Sequence, residues 1–442
     1  MGRLFGTDGV RGVANSDLTP DLALTLGRAA GRVLAADGGE VVIGRDTRLS
    51  GPMLEGALLA GLSSAGAFVR VAGILPTPGI AFLTVDDNAR AGAVISASHN
   101  PVDDNGIKFF SELGSKLAES VEIAIEEAMT QTPPEVLTGA GVGGAERVED
   151  PVGRYLAHLL GTVEGDLGGL KIVLDCAHGA AWEVGPRAFA EAGADVVAIH
   201  DTPDGARINV DSGSTAMGHL AARVESEGAA MGLAFDGDAD RVLAVDEKGD
   251  VVDGDRIIGM LGLQLHQTDR LHNDMIVATV MSNLGFRRAL EERGIEVVLA
   301  PVGDRFVAEA MISSGAVLGG EQSGHVIFGR HAITGDGVMT GLQVARAVVQ
   351  ADTPLSRLAH FFEPFPQVLI NVECRGKDRL DQTEAVWQDV RGAEASLGED
   401  GRVLVRASGT EPLVRVMVEA ADPTVASRVA EDLADSVRRN LA

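Results

Sequence analysis

Read for the spacing of its apolar positions, the chain repeats one phrase three times. A segment of helical periodicity ends at Gly66, an apolar run from Ala67 to Ile74 reads as a strand, and Pro76-Thr77-Pro78 breaks it. After a further helical stretch the short run Ala93 to Ile95 empties into Ser96-Ala97-Ser98-His99-Asn100-Pro101. The second copy closes a helical stretch at Gly193, runs a strand from Asp195 to Ile199, breaks at Asp201-Thr202-Pro203, and delivers Asp236-Gly237-Asp238-Ala239-Asp240-Arg241 from the strand Met231 to Phe235. The third closes at Gly294, runs Ile295 to Ala300, breaks at Pro301-Val302-Gly303-Asp304-Arg305, and delivers Gly319-Gly320-Glu321-Gln322-Ser323-Gly324-His325 after Ala316-Val317-Leu318. Earlier strands lead each copy: Glu40 to Ile43, Lys171 to Leu174 and Met275 to Val280. Strands alternating with helices predict mixed sheets flanked by helices, three times over. Each copy ends in a polar loop, and three loops at equivalent positions can converge on a single central cleft.

The last stretch is built differently. Beyond the proline-bearing Asp352 to Pro366 segment come an expected strand over Val368 to Glu373, a helical segment around Thr383 to Val390, and two strands, Val403 to Val405 and Val414 to Glu419. A final helix has Asp422 as N-cap and Pro423 at its first position, buries Val425, Val429, Leu433 and Val437, and ends on Arg438-Arg439. This reads as a small α+β module. The other expected boundary is Thr130 to Glu149, rich in proline, glycine and polar residues. Within it Gly139-Ala140-Gly141-Val142-Gly143-Gly144 satisfies a dinucleotide-binding spacing, but no predicted strand precedes it, so it is read as linker.

Composition narrows the function. At 442 residues the chain is too long for one core, and its length suggests about three domains. A formal net charge of -27 opposes nucleic acid and anionic membranes, so a phosphate ligand must be won by a local basic cluster. The two cysteines, Cys176 and Cys374, lie far apart in apolar runs, which excludes a disulfide framework and a cysteine zinc site. No secretory leader or membrane-length apolar run is seen, so a cytoplasmic location is expected.

Within that frame the loops acquire chemistry. Strand-end loops of α/β proteins are where ligands bind. Ser98 beside His99 and Asn100, with an Asn105-Gly106 turn expected to fold Ile107-Lys108-Phe109-Phe110 back towards it, has a nucleophile's setting with a cation in reach. Taken alone, the same four residues Ser98 to Pro101 also spell a turn that caps a helix. Asp236, Asp238 and Asp240 alternate, placing three carboxylates on one side of an extended chain, and carboxylate oxygens with room for water suit Mg²⁺. An EF-hand would need glycine where Arg241 stands, and an aspartyl phosphatase would need Thr or Val where Asp240 stands. Arg406-Ala407-Ser408-Gly409-Thr410-Glu411-Pro412, with Arg415 beyond, offers hydroxyls, a flexible glycine and two guanidiniums as a phosphate cradle. Glu321, Ser323 and His325 suit sugar hydroxyls. Near the N-terminus Gly6-Thr7-Asp8-Gly9-Val10-Arg11-Gly12 places Arg11 where it could meet a phosphoryl group on Ser98, and Arg45 and Arg48 end another strand. No phosphate-binding Walker sequence and no hydrolase nucleophile elbow is present.

In this order the motifs resemble those of the α-D-phosphohexomutase superfamily, from Gly6-Thr7-Asp8-Gly9 to Arg415. Within it Gly320-Glu321-Gln322-Ser323-Gly324-His325 is similar to the phosphoglucosamine branch, where mannose and glucose enzymes show Met in place of Gln322. The resemblance implies three related α/β domains plus a C-terminal α+β domain around a central cleft. It divides the chain at 1–150 with the phosphoserine loop, 151–254 with the metal loop, 255–366 with the sugar loop, and 367–442 with the phosphate loop. It also implies that Ser98 carries the phosphoryl group and joins Asp236, Asp238 and Asp240 in holding one Mg²⁺, with Arg241 nearby. His99, Lys108 and Arg11 match acid/base or electrostatic positions, with the choice among them open. Glu321, Ser323 and His325 match sugar contacts, and Arg406, Ser408, Gly409, Thr410 and Arg415 the distal phosphate site. His178, where many relatives have Asn, lies off these loops.

The implied reaction is reversible conversion of glucosamine 6-phosphate to glucosamine 1-phosphate on the route to UDP-N-acetylglucosamine. Glucosamine or glucose 1,6-bisphosphate serves as intermediate or activator. The expected partner is the hexosamine phosphate alone, in a monomer or homodimer. Alternatives are a phosphomannomutase or phosphoglucomutase and a Mg²⁺-dependent sugar-phosphate phosphatase; a non-catalytic sugar-phosphate sensor would have no use for a nucleophile.

Overall fold

A computed structural model describes residues 4–6, 8–131, 136–408 and 412–441, and these form four sheets. The first has six strands in the order Val10–Val13, Asp104–Ser111, Ala91–Ile95, Glu40–Arg45, Phe68–Ile74, Ala145–Arg147. The second runs Val251–Val252, Val242–Asp246, Met231–Phe235, Lys171–Asp175, Asp195–Ile199. The third runs Glu296–Ala300, Met275–Thr279, Leu318–Gly320, Val326–Phe328.

One topology underlies all three. In each, the leading strand pairs in parallel with the second strand on one side and the third on the other, and a fourth strand lies antiparallel beyond the third. Parallel neighbours need long crossovers, and helices such as Gly51–Ser64, Ala181–Glu191 and Leu284–Glu291 supply them. An antiparallel neighbour needs only a short turn. The chain therefore reverses on a polar loop at the carboxyl end of the third strand, between Ile95 and Asp104, Phe235 and Val242, and Gly320 and Val326. The sequence repeat is thus a topological repeat, and its three distinctive loops occupy equivalent corners. The strands Ala91–Ile95 and Met231–Phe235 are buried at every position, as expected for central strands covered on both faces.

Local expectations needed correction at three places. Asn105-Gly106 is not a turn: both residues lie inside the strand Asp104–Ser111, opposite Gly12 and Arg11 of the strand Val10–Val13. The buried Asn105 amide donates to Ser50 Oγ at 2.8 Å, and a Cβ on Gly106 would stand 2.6 Å from the Ser96 carbonyl oxygen. Close backbone approach, rather than turn chemistry, explains that glycine. The third strand of the third copy begins at Leu318 and includes Gly319-Gly320, which had read as loop. The presumed linker contributes an edge strand, Ala145–Arg147, exposed at every position and thus without an apolar signature.

The C-terminal sheet holds Gln367–Glu373, Leu413–Ala420 and Gly401–Ala407, all antiparallel, covered by Glu384–Leu397 and Pro423–Leu441. Asp422 Oδ1 accepts from Thr424 N at 2.7 Å, the cap the sequence indicated. Its core cluster draws only on residues from 372 to 441. By contrast, one cluster runs through the first three sheets, from Leu75 and Tyr155 through Phe189 and Leu233 to Phe286, Leu318 and Phe362.

Candidate active site

The Ser98 loop and the acidic loop meet backbone to backbone. A Cβ on Gly237 would lie 2.6 Å from the Ser98 carbonyl oxygen, so glycine there lets the two turns touch. Ser98 is 1% exposed and has φ of 52°, a left-handed conformation that a serine adopts only when its surroundings enforce it. They do. Ser98 N donates to Ser96 Oγ at 2.9 Å, and the Ser98 carbonyl accepts from Arg48 Nη2 at 2.9 Å and Asn209 Nδ2 at 2.8 Å. Arg48 is fully buried and also donates to the carbonyls of Asn100, Pro101 and Asp104, so one guanidinium pins the whole turn.

So held, the Ser98 hydroxyl points at the acidic loop. Its Oγ donates to Asp236 Oδ2 at 2.5 Å and lies 3.2 Å from His99 Nδ1. Asp236, Asp238 and Asp240 are buried, with ligand oxygens within 4.8 Å of one another. Burial and the neighbouring Asp240 and Asp238 carboxylates drive the Asp236 pKa well above the ordinary carboxylate range. Asp238 Oδ1 and Asp240 Oδ1 have no hydrogen-bond partner among the described residues. Crowded carboxylates with unsatisfied oxygens are what a hard divalent cation with oxygen ligands would stabilise. The donor set thus fits such an ion.

Lys108, 2% exposed, supplies the resident positive charge. Its Nζ lies 3.0 Å from Asp238, 3.1 Å from Asp8 and 3.6 Å from Asp240. Burial opposes its charge, but these carboxylates outweigh burial and raise its pKa above the ordinary lysine value. Thr77 Oγ1 donates to Asp238 Oδ2 at 2.7 Å. Burial, then the guanidiniums of Arg241 and Arg11, depress the His99 pKa to about 4, leaving a neutral ring. Arg241 Nη1 lies 3.3 Å from His99 Nδ1, and Arg11 Nη1 donates to Asn100 Oδ1 at 3.3 Å while its Nη2 pairs with Asp8.

Above this floor a cavity of about 280 Å³ is lined by Arg11, His99, Asp240, Arg241, Glu321, His325, Arg406, Ser408 and Arg415, together with Asp8, Lys116 and Asp304. Glu321 Oε1 accepts from Gly303 N at 2.9 Å, and the Ser323 hydroxyl is turned onto Glu321 Oε2 at 3.3 Å. Gly335 N sits 3.0 Å from His325 Nε2. A backbone N–H can only donate, so Nε2 is the acceptor and the ring proton sits on Nδ1, towards Asp240. Burial disfavours a second proton on this ring, whereas Asp240 and Asp304 favour it and raise its pKa; taking it up would break the Gly335 bond. Arg406 and Arg415 face each other across paired strands, and burial followed by the Arg415 charge lowers the Arg406 pKa, an arrangement an anion would relieve.

The fold therefore brings together Arg11, Ser98, His99, Lys108, the three aspartates, Glu321, His325, Arg406, Ser408 and Arg415. Gly409 and Thr410, and Thr7 of the N-terminal motif, lie outside the described residues. Arg48, noted in the sequence only as a strand-end arginine, lies behind Ser98, and residues the sequence did not single out complete the site: Asn209 behind Ser98, Thr77 behind Asp238, and Lys116 and Asp304 on the rim. A signal existed for two of them, because Thr77 and Asp304 belong to the phrase that follows the second strand of each copy.

Comparison with known proteins bears on this arrangement. The four phosphoglucomutase/phosphomannomutase family models match in order: alpha/beta/alpha domain I at residues 2–135, domain II at 154–249, domain III at 253–365 and the C-terminal domain at 369–436. A phosphoglucosamine mutase from Salinispora tropica is 52% identical over 445 residues, covering 99% of both chains. The crystal structure of a phosphoglucomutase/phosphomannomutase family protein from Burkholderia thailandensis superposes with a TM-score of 0.84 at 25% identity, over 99% of this chain and 97% of that one. The fold is shared too with N-acetylphosphoglucosamine mutase of Aspergillus fumigatus, solved with GlcNAc-6P and magnesium, at TM-score 0.71 and 17% identity over 99% and 96% of the two chains.

Proposed function

We propose that this chain, which belongs to the phosphoglucomutase/phosphomannomutase family, interconverts glucosamine 6-phosphate and glucosamine 1-phosphate as an intramolecular phosphotransferase. Relatives at about half identity along the whole length bear the phosphoglucosamine mutase name, which supports the amino-sugar substrate. One observation carries the chemistry: a serine hydroxyl bonded to Asp236 of a buried aspartate triad lies beneath a cavity that Asp240 and His99 line on the floor side and the facing Arg406 and Arg415 line on the other. One site suits a phosphoryl group in transfer and the other a phosphate to be gripped.

In this reading Ser98 bears a phosphoryl group in the resting enzyme. A sugar hydroxyl attacks that phosphorus, the P–O bond to Ser98 Oγ breaks, and a 1,6-bisphosphate forms. The proton of the attacking hydroxyl passes to Ser98 Oγ; the bisphosphate turns over in the cleft, Ser98 Oγ attacks its other phosphoryl group, and the serine proton passes to the sugar oxygen that leaves. Asp236, Asp238, Asp240 and the phosphoserine would hold Mg²⁺, which supplies charge stabilisation for the transferring group. Lys108 and Arg11, cations among carboxylates, stabilise charge rather than abstract protons. Arg241 orients the neutral His99 beside Ser98. Glu321, Ser323 and His325 orient sugar hydroxyls, and Arg406, Ser408 and Arg415 hold the distant phosphate, with Gly409 and Thr410 proposed beside them. A cytoplasmic setting belongs to the same reading and agrees with two buried free thiols.

The test pairs intact mass with turnover. A gain of one phosphoryl group localised to Ser98, and turnover of glucosamine 6-phosphate exceeding that of glucose and mannose 6-phosphates, are expected. Stoichiometric release of inorganic phosphate would instead identify a phosphatase.

A further inference from the structure

The chemistry above uses Lys108 but leaves a second lysine on the rim without a role. Lys116 sits just past the strand Asp104–Ser111, in a tight loop closed by Ser111 N donating to the Ser115 carbonyl at 2.7 Å and by the Ser111 and Ser115 hydroxyls at 2.8 Å. Only 14% of its side chain is exposed. Its Nζ pairs with Asp8 Oδ1, in the loop that carries Arg11, and with Asp304 Oδ2 at 2.5 Å, at the head of the third unit's helix Asp304–Ser314. The adjacent Arg305 makes a second contact of reversed polarity, donating from Nη2 to Glu122 Oε1 of the first unit at 2.5 Å.

Followed around the cavity, these groups close a ring in which carboxylates alternate with the two lysines and the neutral His325 ring. Lys108 lies 3.1 Å from Asp8 and 3.6 Å from Asp240; Asp240 lies 3.8 Å from His325 Nδ1, and His325 Nε2 3.9 Å from Asp304. Lys116 joins Asp304 back to Asp8. Without it Asp8 and Asp304 lose the one cation they share at the seam between the Arg11 wall and the sugar-binding wall, and Asp8 keeps only Lys108 and Arg11, both from the first unit.

We propose that Lys116 is a positioning residue that latches the first unit to the third across this seam, holding Arg11 and the Glu321–His325 loop at a fixed separation while the sugar bisphosphate turns over. The inference rests on the mutase reading. A floor that performs each transfer is not sufficient for a mutase, because the intermediate must reorient without escaping. The latch spans the two walls between which that happens, and it contacts neither Ser98 nor the arginines that grip the distal phosphate.

The test uses the full-length enzyme with Mg²⁺, comparing Lys116→Met, Lys116→Arg, Asp304→Asn and the double variant Lys116→Met/Asp304→Asn. Two quantities are read: steady-state turnover of glucosamine 6-phosphate with and without added glucose 1,6-bisphosphate, and phosphorylation of dephosphorylated Ser98 by that bisphosphate, followed by intact mass. Lys116→Met is expected to raise KM roughly tenfold and to make turnover depend on added bisphosphate, because the intermediate escapes, while Ser98 phosphorylation stays within about threefold. Asp304→Asn should reproduce the pattern, the double variant should be no worse than the more affected single one, and Lys116→Arg should recover most of the loss.

Unchanged KM and no bisphosphate dependence in Lys116→Met overturn the inference. So does an equal fall in Ser98 phosphorylation, or normal behaviour of Asp304→Asn, which would make Lys116 a direct ligand of substrate. Should Lys116→Met fail to fold, Asp304→Asn and Lys116→Arg carry the same two readouts. A wild-type enzyme that turns over no hexosamine phosphate would overturn the mutase reading itself, an outcome separate from a failure of the latch.

Discussion

In the proposed reaction the floor of the cleft and its far wall both face phosphate, yet they are made of different material. The floor is buried charge set in a common core: Ser98, Lys108 and three aspartates lie beneath the cavity, where the cluster shared by the first three units fixes their distances. The far wall, with Arg406, Ser408 and Arg415, belongs to a unit with a core of its own. That unit meets the third through a polar joint. Glu419, fully buried, accepts from Arg402 Nε at 2.5 Å and from Leu284 N at 3.0 Å, while Arg402 Nη1 and Nη2 donate to the carbonyls of Val280 and Ser282 at 3.0 and 2.6 Å. Glu419 thereby caps a helix of the neighbouring unit, across from its own N-cap Asn283. Phosphoryl transfer needs charges held within fractions of an ångström, which a packed core provides. Gripping either end of a substrate in turn is better served by a wall whose apolar interior is not continuous with the floor, so that it can shift without opening the core.

This contrast can be broken most sharply at Ser98. Ser98→Ala should show no detectable turnover with any hexose phosphate while its melting temperature stays within a few degrees of wild type; retained turnover would remove the floor from the chemistry. Next in size is the metal. Chelation should abolish activity, by on the order of 10³-fold for loss of charge stabilisation worth several kcal/mol, with recovery on adding Mg²⁺. Asp236→Asn should be equally inactive, yet in chelator it should melt no lower than wild type, because it removes one of three repelling buried carboxylates. A clearly lower melting point there would show that the triad is stabilising without an ion.

At the far wall the effect should be smaller and different in kind. Arg406→Ala should raise KM roughly 10- to 100-fold, as expected for one charge-assisted contact, while phosphorylation of Ser98 by a bisphosphate falls much less. Equal loss in both would merge the two ends into one functional unit. The smallest effect concerns the joint. Burial, then the Asp253 charge, raises the Asp255 pKa to about 7, and Asp255 Oδ2 accepts from Asn283 N at 2.8 Å beside the Glu419 contact. A carboxyl whose native pKa lies above its unfolded value of 3.8 favours folding by staying protonated, and that advantage fades as pH rises from about 4 through 7. Asp255→Asn should therefore melt a few degrees above wild type at pH 8, and the gain should shrink as pH falls and vanish by about pH 4. A gain independent of pH would rule out titration of this group as its origin.

Much of this was legible in the residues. The three loops stood out because each ends a central strand whose apolar run stops abruptly in polar residues, a change imposed by where the core ends. The capped last helix and its buried stripe were legible for the same reason. Asn105-Gly106 misled because the pair spells a turn when read locally, while its actual constraint is the Ser96 carbonyl packed against Gly106. Ala145–Arg147 carried no pattern because an exposed edge strand buries nothing that would create one. Arg48 and Asn209 were invisible as partners of Ser98, since hydrogen bonds across 50 and 111 residues leave no mark on spacing.

By itself the sequence determined the repeated α/β units, the order of the four loops, and the chemical type of each: hydroxyl, carboxylates, mixed polar groups, arginines. Those properties follow from periodicity and side-chain chemistry, which are local. The tertiary structure alone decided that Ser98 is held left-handed by an arginine and by an asparagine of the next unit, and that Lys108 stays charged among three carboxylates. It also decided that the far wall is joined to the floor through a polar contact rather than a shared core. These are matters of distance and burial between residues far apart in the chain, and only the folded packing sets them.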